Sequence, residues 1–242
     1  MRLLLLAILI WAATIRPGAA EVLRPQLDDM VTHFADVVFG VEYATLTTKP
    51  EVVSKWPGPV VGINVQGRDT PQLIKLASKH IHSLAKLTGL RFRTLGAGET
   101  IPSIDLLFLK RAEMGNIKGL NIDATVVQSM ASDPTMACYF LIWNSPPERI
   151  VKAMVVVDVE KDPVRIDACL LEELTQVMGL PNDVKTYWPS MFNPLDTSTE
   201  HSEWDALYIK TLYDQRIIPG MTPAETLAQV RPIFAEALSK TP

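Results

Sequence analysis

The sequence predicts an α/β fold, of the α+β kind, in which a mixed sheet packs on two long helices and a small C-terminal helical lobe follows. Two observations predict it. Several short apolar segments have the length and residue types of buried strands, and two longer segments repeat apolar residues at helical spacing. Helix, strand, helix, several strands and a second long helix follow one another in the order of a layered α/β protein. The 242 residues contain no internal repeat and suit one domain with two lobes.

Turn residues divide the chain into elements. Gly40 and Gly89 end the first two helices, and Thr70 followed by Pro71 is a typical helix start. Glycine and proline clusters separate the strands. The predicted elements are a helix over 25–41, a strand ending at Val65, a helix from Thr70 to Gly89, strands over 90–95 and 104–109, a short helix over 124–130, strands over 137–143 and 150–159, and a helix starting near Asp167.

The N-terminal residues have the pattern of a secretory signal peptide. Arg2 precedes an apolar run over 3–15, and the small residues Gly18 and Ala20 flank the predicted cleavage after Ala20. The run is shorter than the roughly 20 apolar residues that span a bilayer, and a retained interfacial anchor is the alternative. We therefore expect a signal peptide over 1–20 and an exported protein, periplasmic or secreted, with no membrane span in its mature form.

The charge of the mature chain excludes two classes of partner. The chain has 23 basic and 27 acidic residues, and cleavage removes Arg2 and Arg16, which leaves a formal charge of about −6. The remaining basic residues are scattered along the sequence. A nucleic-acid or anionic-membrane partner would require a basic patch, so neither partner is expected.

Cys138 and Cys169 are the two cysteines of the chain. In an oxidising compartment we expect them to form a disulfide that closes a loop of about 30 residues, with a stabilisation of roughly 3–4 kcal/mol. Two buried free thiols are the alternative, because sequence alone does not give the distance between the two residues.

Three histidines are candidate metal ligands, but their spacing does not match a metal-binding pattern. His80 and His82 are two residues apart on a predicted helix, so they point to different faces and cannot form a pair one turn apart. His201 is a single histidine in a polar loop. We expect all three side chains to be in solvent.

The most informative segment runs from Cys169 to Asp183 and contains Glu-Glu-Leu-Thr-Gln-Val-Met-Gly-Leu-Pro-Asn-Asp. An apolar stripe on its helix must face a core, and it consists of Leu170, Leu171, Leu174, Val177 and Met178. Glu172, Gln176 and Gly179 lie opposite the stripe, about one turn apart. For the helix alone, the simpler interpretation is an amphipathic helix with a solvated polar face and a glycine cap.

The same segment resembles the zinc-binding helix of the metzincin peptidases, whose pattern is His-Glu-x-x-His-x-x-Gly-x-x-His. Glu172, Gln176 and Asn182 stand at the three ligand positions of that pattern, with Asp183 beside the last one. Glu173 stands at the position of the general base. The resemblance therefore implies a metzincin-like frame from which the zinc-binding histidines have been replaced.

Two downstream segments extend this resemblance. Trp188-Pro-Ser-Met191-Phe192 resembles the Met-turn, in which a methionine in a tight turn forms a floor below the metal site. Residues 196–214 resemble the end of the matrixins, where an acid-bearing loop leads into a last helix that closes with Leu-Tyr. The resemblance covers about 55–213 and is most specific over 169–213.

The resemblance implies a zincin-like fold with a particular division of the chain. We expect a single metzincin-like domain over 21–242, with a sheet lobe and the motif helix over 21–180 and a C-terminal lobe over 181–242. The mature chain also resembles an uncharacterised family of secreted bacterial proteins, described as a domain of unknown function, whose hallmark is the same Glu-Glu-x-x-Gln-x-x-Gly-Leu-x-Asn-Asp run. Membership of that family implies no established activity.

The replacement of the histidines changes the expected chemistry. Neutral imidazoles leave zinc enough positive charge to make its bound water acidic near neutral pH. Glu172, Gln176 and Asn182 instead offer one carboxylate and two amide oxygens, which favour hard ions such as calcium, magnesium or manganese and bind them weakly. We expect no zinc and no zinc peptidase activity, and an oxygen-ligated divalent ion remains one alternative.

Three uses of the site remain open at this point. The first is a structural or binding role, in which the cleft binds a peptide or a cell-envelope component, for example by strand addition to the edge of the sheet. The second is hydrolysis without zinc, with Glu173 as general base and carboxyl pKa values shifted by crowding of Glu172, Glu173 and Asp183. The third is the oxygen-ligated metal site. The first is the expected function and hydrolysis is the alternative, while the oligomeric state is not predicted.

Overall fold

The computed structural model describes residues 24–42, 49–118, 124–146 and 148–239. Within these residues the protein has a mixed α/β architecture with a five-stranded mixed sheet and six α-helices. The predicted signal peptide over 1–20 and its cleavage site lie outside the described residues. No helix in the described ranges is both long enough and apolar enough to cross a membrane.

The elements follow the predicted order, and most of their bounds agree with the prediction within a few residues. In chain order they are α1 (Leu27–Phe39), β1 (Val60–Gly67), α2 (Pro71–Thr88), β2 (Arg91–Thr94), β3 (Ser103–Leu109), α3 (Ala124–Ser132), β4 (Cys138–Ser145), β5 (Arg149–Asp158), α4 (Pro163–Gln176), α5 (Glu203–Leu212) and α6 (Pro223–Leu238). A short 3-10 helix at Arg111–Glu113 follows β3.

The predicted start of the motif helix near Asp167 is wrong, because α4 begins four residues earlier. The carboxylate of Asp162 accepts hydrogen bonds from the backbone N–H groups of Val164 and Arg165, and Pro163 occupies the first turn. This is a typical N-cap followed by proline. The helix α6 was not assigned from the sequence, although Thr222 and Glu225 form a capping box at its start.

The sheet has the strand order β2-β1-β3-β5-β4. The pairs β1–β2, β1–β3 and β3–β5 are parallel, whereas β4 is antiparallel to β5 and forms one edge. The central strands β3 and β5 are mostly buried, as expected for parallel strands covered on both faces. The antiparallel strand β4 is therefore the edge of the sheet that lies next to the motif.

The motif helix α4 lies at the centre of the packing. It contacts β4 and β5 on one side and α2 on another, and α2 also contacts α5. In the same way α6 contacts both α1 and α5. The division into a sheet lobe over 21–180 and a C-terminal lobe over 181–242 stays a prediction.

A disulfide joins β4 to α4. Cys138 and Cys169 are bonded across a sequence separation of 31 residues, and their Cα atoms are 6.1 Å apart. The predicted pairing is confirmed. Because one cysteine lies on the edge strand and the other on the motif helix, the bond ties these two elements together, with an expected contribution of about 3–4 kcal/mol.

Candidate functional site

Both faces of the motif helix are buried. The five residues of the apolar stripe are buried as expected, but Glu173 is only 5% exposed and Gln176 is 0% exposed. A solvated polar face, the simpler interpretation of the helix, is therefore wrong. The helix lies between the sheet and α2, and this placement encloses polar groups that the sequence pattern alone assigns to solvent.

The turn after α4 is held in place by its neighbours. Gly179 has a φ of +104°, and a Cβ atom there would lie 2.0 Å from the carbonyl oxygen of Ser54. The indole Nε1 of Trp56 donates to the carbonyl of Val177 at 2.8 Å, and the hydroxyl of Tyr213 donates to the carbonyl of Met178 at 2.9 Å. These bonds satisfy carbonyls at the helix end and direct the chain towards Asn182.

Glu172, Gln176 and Asp183 form one hydrogen-bonded group. The amide Nε2 of Gln176 donates to Oδ1 of Asp183 at 2.9 Å, and the side chains of Glu172 and Asp183 are hydrogen-bonded to each other. Burial, followed by the negative charges of Glu172 and Glu42, raises the pKa of Asp183 to about 9. Asp183 is therefore protonated at neutral pH and donates its proton to a carboxylate oxygen of Glu172.

Glu173 points into the interior, where its charged form is disfavoured. Burial raises the pKa of its carboxyl well above the usual range, and the nearby charges of Glu172, Glu42 and Asp183 add to this effect. Its Oε2 atom has no hydrogen-bond partner among the described residues. Burial therefore disfavours the ionised form of Glu173, the form that a general base needs in order to accept a proton.

Asn182 does not join this group. Its amide Nδ2 donates to the backbone oxygen of Asp36 at 2.9 Å and packs against Gly40, at the end of α1. Of the four vestigial ligand positions, the structure therefore brings together Glu172, Gln176 and Asp183, and it directs Asn182 elsewhere.

The segment predicted as a Met-turn is buried and is anchored to α5. Trp188, Met191 and Phe192 all belong to the hydrophobic core. Asp205 accepts hydrogen bonds from the hydroxyl of Ser190 at 2.6 Å and from the backbone N–H of Met191 at 3.2 Å. Burial raises the pKa of Asp205, while these hydrogen bonds lower it. Sequence reasoning missed this anchor, although its capping-box spacing behind Ser202 was a usable signal.

The expectation that His80 is in solvent is wrong, because α2 turns it towards α4. Its Nε2 atom lies 2.6 Å from Oδ1 of Asp167, and its side chain is buried. Burial is the largest cause that lowers the pKa of His80, and the bond to Asp167 opposes it. His82 is exposed, as predicted.

The same expectation is wrong for His201. Its Nδ1 atom lies 3.0 Å from the hydroxyl of Ser83, and its Nε2 atom lies 2.9 Å from the hydroxyl of Thr175 on α4. The Thr175 hydroxyl donates to the carbonyl of Leu171, so it accepts from His201. Burial lowers the pKa of His201 to about 4. His201 thus joins the loop before α5 to two helices, a contact that local polarity could not reveal.

An open cleft of about 880 Å³ lies beside the motif helix and β4. Residues 140–144 of β4 line it, and so do Gly179, Pro181, the end of α1 and part of α3. The lining also contains charged residues, namely Glu42, Lys49, Glu51 and Glu148. Glu173 is not among the lining residues, so the buried acid and the open cleft are separate features.

Fold and site together define an α/β domain with a buried acidic motif helix and a cleft along the antiparallel edge of its sheet. The chain belongs to the family described as "Protein of unknown function (DUF2927)", whose model matches residues 28–232. No curated protein matches the chain. The expected membership of an uncharacterised family is confirmed. The match gives no evidence of a relation to metzincins.

Proposed function

We propose that the protein has a degenerate zincin-like fold without peptidase activity, and that it binds an extended peptide segment of an exported or cell-envelope protein along β4. The observation that carries the proposal is the position of β4. It is one of the two edge strands of the sheet, and its residues 140–144 line the cleft. An edge strand offers backbone N–H and C=O groups to which an extended peptide can add as a further strand.

The lining of the cleft suits such a ligand. Phe140, Ile142 and Trp143 are partly exposed along the edge, so they offer apolar contacts for peptide side chains. Three glutamates and one lysine line the cleft. The net negative charge favours a peptide with basic residues and disfavours an acidic one.

The state of Glu173 favours binding over hydrolysis. A general base must be ionised and within reach of the water that it activates. Burial raises the pKa of Glu173, which disfavours its ionised form, and Glu173 lies outside the lining of the cleft. The vestigial ligand position Asn182 is also used to hold the end of α1. These observations support a cleft that binds without cleaving.

Selection from a displayed library of extended peptides tests the proposal. We expect the selected peptides to be enriched in basic residues, to remain intact by mass spectrometry after incubation with the protein, and to slow hydrogen exchange of β4 amides. Ile142→Lys places a charge on the edge strand and should weaken binding at least about tenfold, since charged edge residues oppose strand addition.

Val164→Lys is the matched control, because Val164 is an exposed apolar residue outside the cleft. Its peptide affinity should equal that of the wild type, and thermal melts should show both variants folded. Unchanged affinity in Ile142→Lys, or protection that spares β4, would exclude β4 as the binding edge. Cleaved peptides would instead favour hydrolysis.

A further inference from the structure

A cluster separate from the peptide cleft lies where β4 meets α4. The Sγ atoms of Cys138 and Cys169 and one carboxylate oxygen of Glu173 all lie within 4.8 Å of one another. In the part of the chain that the structure describes, no other three Cys, His, Asp or Glu side chains converge in this way. The three residues are buried, with exposed fractions of 7% for Cys138, 2% for Cys169 and 5% for Glu173.

The backbone presents these groups as a ligand set. Cys169 and Glu173 are four residues apart on α4, so they lie on the same face, one turn from each other. Cys138 comes from β4, which packs against this helix. A helical pair at this spacing together with a residue from a neighbouring element is a common way to hold a metal ion.

The buried oxygen of Glu173 is an independent observation that points to a ligand. Oε2 has no hydrogen-bond partner among the described residues. Buried polar atoms without a partner are rare in folded proteins, because burial costs such an atom its bonds to water. A cation held at this cluster would give the carboxylate the partner that the disulfide form does not provide.

We propose that Cys138, Cys169 and Glu173 form a redox-gated site for a divalent transition metal of the zinc class. With both cysteines reduced, two thiolates and one carboxylate hold the ion and leave a fourth position open. Thiolate sulfur selects zinc over the hard ions that oxygen ligands prefer. With the cysteines oxidised, the disulfide removes two of the three ligands and the ion leaves.

The two states are connected by a balanced exchange. Two electrons and two protons from a dithiol or phosphine reductant convert the disulfide into two thiols. A divalent ion then displaces both thiol protons, which leave to solvent, and the Glu173 carboxylate is the third ligand. In the reverse direction a disulfide oxidant accepts two electrons, the S–S bond forms and the ion is released.

Cobalt(II) is a suitable probe, because thiolate ligands give it an intense charge-transfer absorption. The protein is reduced with a phosphine in denaturant without oxygen, freed of the reductant and refolded with and without cobalt. We expect one cobalt per reduced chain, its displacement by zinc, and proton release from the two thiols in a weakly buffered indicator assay. The unreduced protein should show no free thiols and no cobalt absorption.

Variants separate a three-ligand site from binding by thiols alone. Glu173→Gln keeps both cysteines and should lower cobalt affinity about 100-fold, since it removes a ligand. The double substitution of Cys138→Ser and Cys169→Ser should abolish the absorption. Asp167→Asn is the control, because Asp167 lies on the same helix with its carboxylate bound to His80. Its cobalt affinity should match that of the wild type.

Folding provides a second measurement if the reduced chain does not refold unaided. Cobalt or zinc should then restore the far-ultraviolet circular dichroism, because a metal that binds only the folded chain drives its folding. A reduced chain that binds no cobalt in either condition overturns the proposal. So does a Glu173→Gln variant that binds cobalt as tightly as the wild type. Neither result bears on peptide binding at β4, because Glu173 does not line that cleft.

Discussion

At the scale of single residues, burial disfavours charge at Glu173 and Asp183. It raises the pKa of Glu173 well above the usual range and the pKa of Asp183 to about 9. Each of the two groups therefore binds its proton more tightly in the folded chain than in the unfolded chain. By linkage, each opposes folding as the pH rises above its unfolded pKa.

Glu173→Gln should therefore stabilise the protein at neutral pH, because glutamine has a similar shape and needs no proton. The gain in the free energy of unfolding should be small near pH 4.5. It should grow by about 1.4 kcal/mol for each pH unit above 4.5, until the pH reaches the pKa of Glu173 in the folded chain. Urea unfolding of the disulfide form between pH 4.5 and 7 measures it. Glu203→Gln is the control, because Glu203 is exposed, and its effect on the free energy of unfolding should not grow with pH in this way. Loss of stability in Glu173→Gln at pH 7 would show that the carboxylate is ionised and bonded.

Met191→Ala tests the buried turn below the motif helix. Met191 is 5% exposed and belongs to the hydrophobic core, so its truncation should cost about 2–4 kcal/mol. Leu195→Ala is the control, because Leu195 is 80% exposed, and it should cost less than about 0.5 kcal/mol. Equal costs for the two variants, measured by urea unfolding, would argue against a packing role for Met191.

At the scale of elements, the end of α4 decides which motif residues meet. Residues 177–179 turn the chain so that Asp183 returns to Glu172 and Gln176, while Asn182 reaches the end of α1. Close approach of the Ser54 carbonyl leaves room only for glycine at Gly179. The arrangement of the acidic group is therefore a property of the turn as well as of the helix.

Gly179→Ala should destabilise the protein for two reasons, its positive φ and the clash with Ser54. Gly89 offers a matched control, because it also has a positive φ of +74° but has no atom within 4 Å of an added Cβ. Gly89→Ala should cost about 1–2 kcal/mol, the usual strain of a left-handed residue. Gly179→Ala should cost at least about 2 kcal/mol more, because the backbone must shift as well. Equal costs would mean that the turn relaxes freely.

At the scale of the whole molecule, two sets of buried groups change the folding stability with pH in opposite directions. Burial lowers the pKa of His33 and of His201 to about 4, so the folded chain binds fewer protons than the unfolded chain between about pH 4 and 6.5. These histidines make stability rise with pH in that window. Asp183, with a pKa of about 9, makes stability fall with pH from 3.8 to about 9.

Above about pH 7 the histidines are mostly neutral in both states, and the effect of Asp183 is the larger one. Lys55, whose pKa burial lowers to about 8, is still largely protonated below pH 8. Stability should therefore fall between about pH 7 and 8, with Asp183 contributing a decrease of about 1.4 kcal/mol for each pH unit.

Asp183→Asn should make this decline shallower, whereas the exposed Asp69→Asn should leave it unchanged. Urea unfolding at about pH 7, 7.5 and 8 measures all three proteins. A wild type whose stability rises over this range would contradict the assignment of a proton to Asp183.

The sequence by itself determined the α/β class and most element bounds, which follow from local periodicity, turn residues and composition. It led to the expectation of a disulfide between Cys138 and Cys169, and the motif resemblance indicated the uncharacterised family. Only the tertiary structure decided that the polar face of α4 is buried, that Asn182 turns away from Glu172 and Gln176, and that His80 and His201 contact α4. Each of these depends on which distant elements pack together, and local patterns do not encode the direction of a side chain across such a contact.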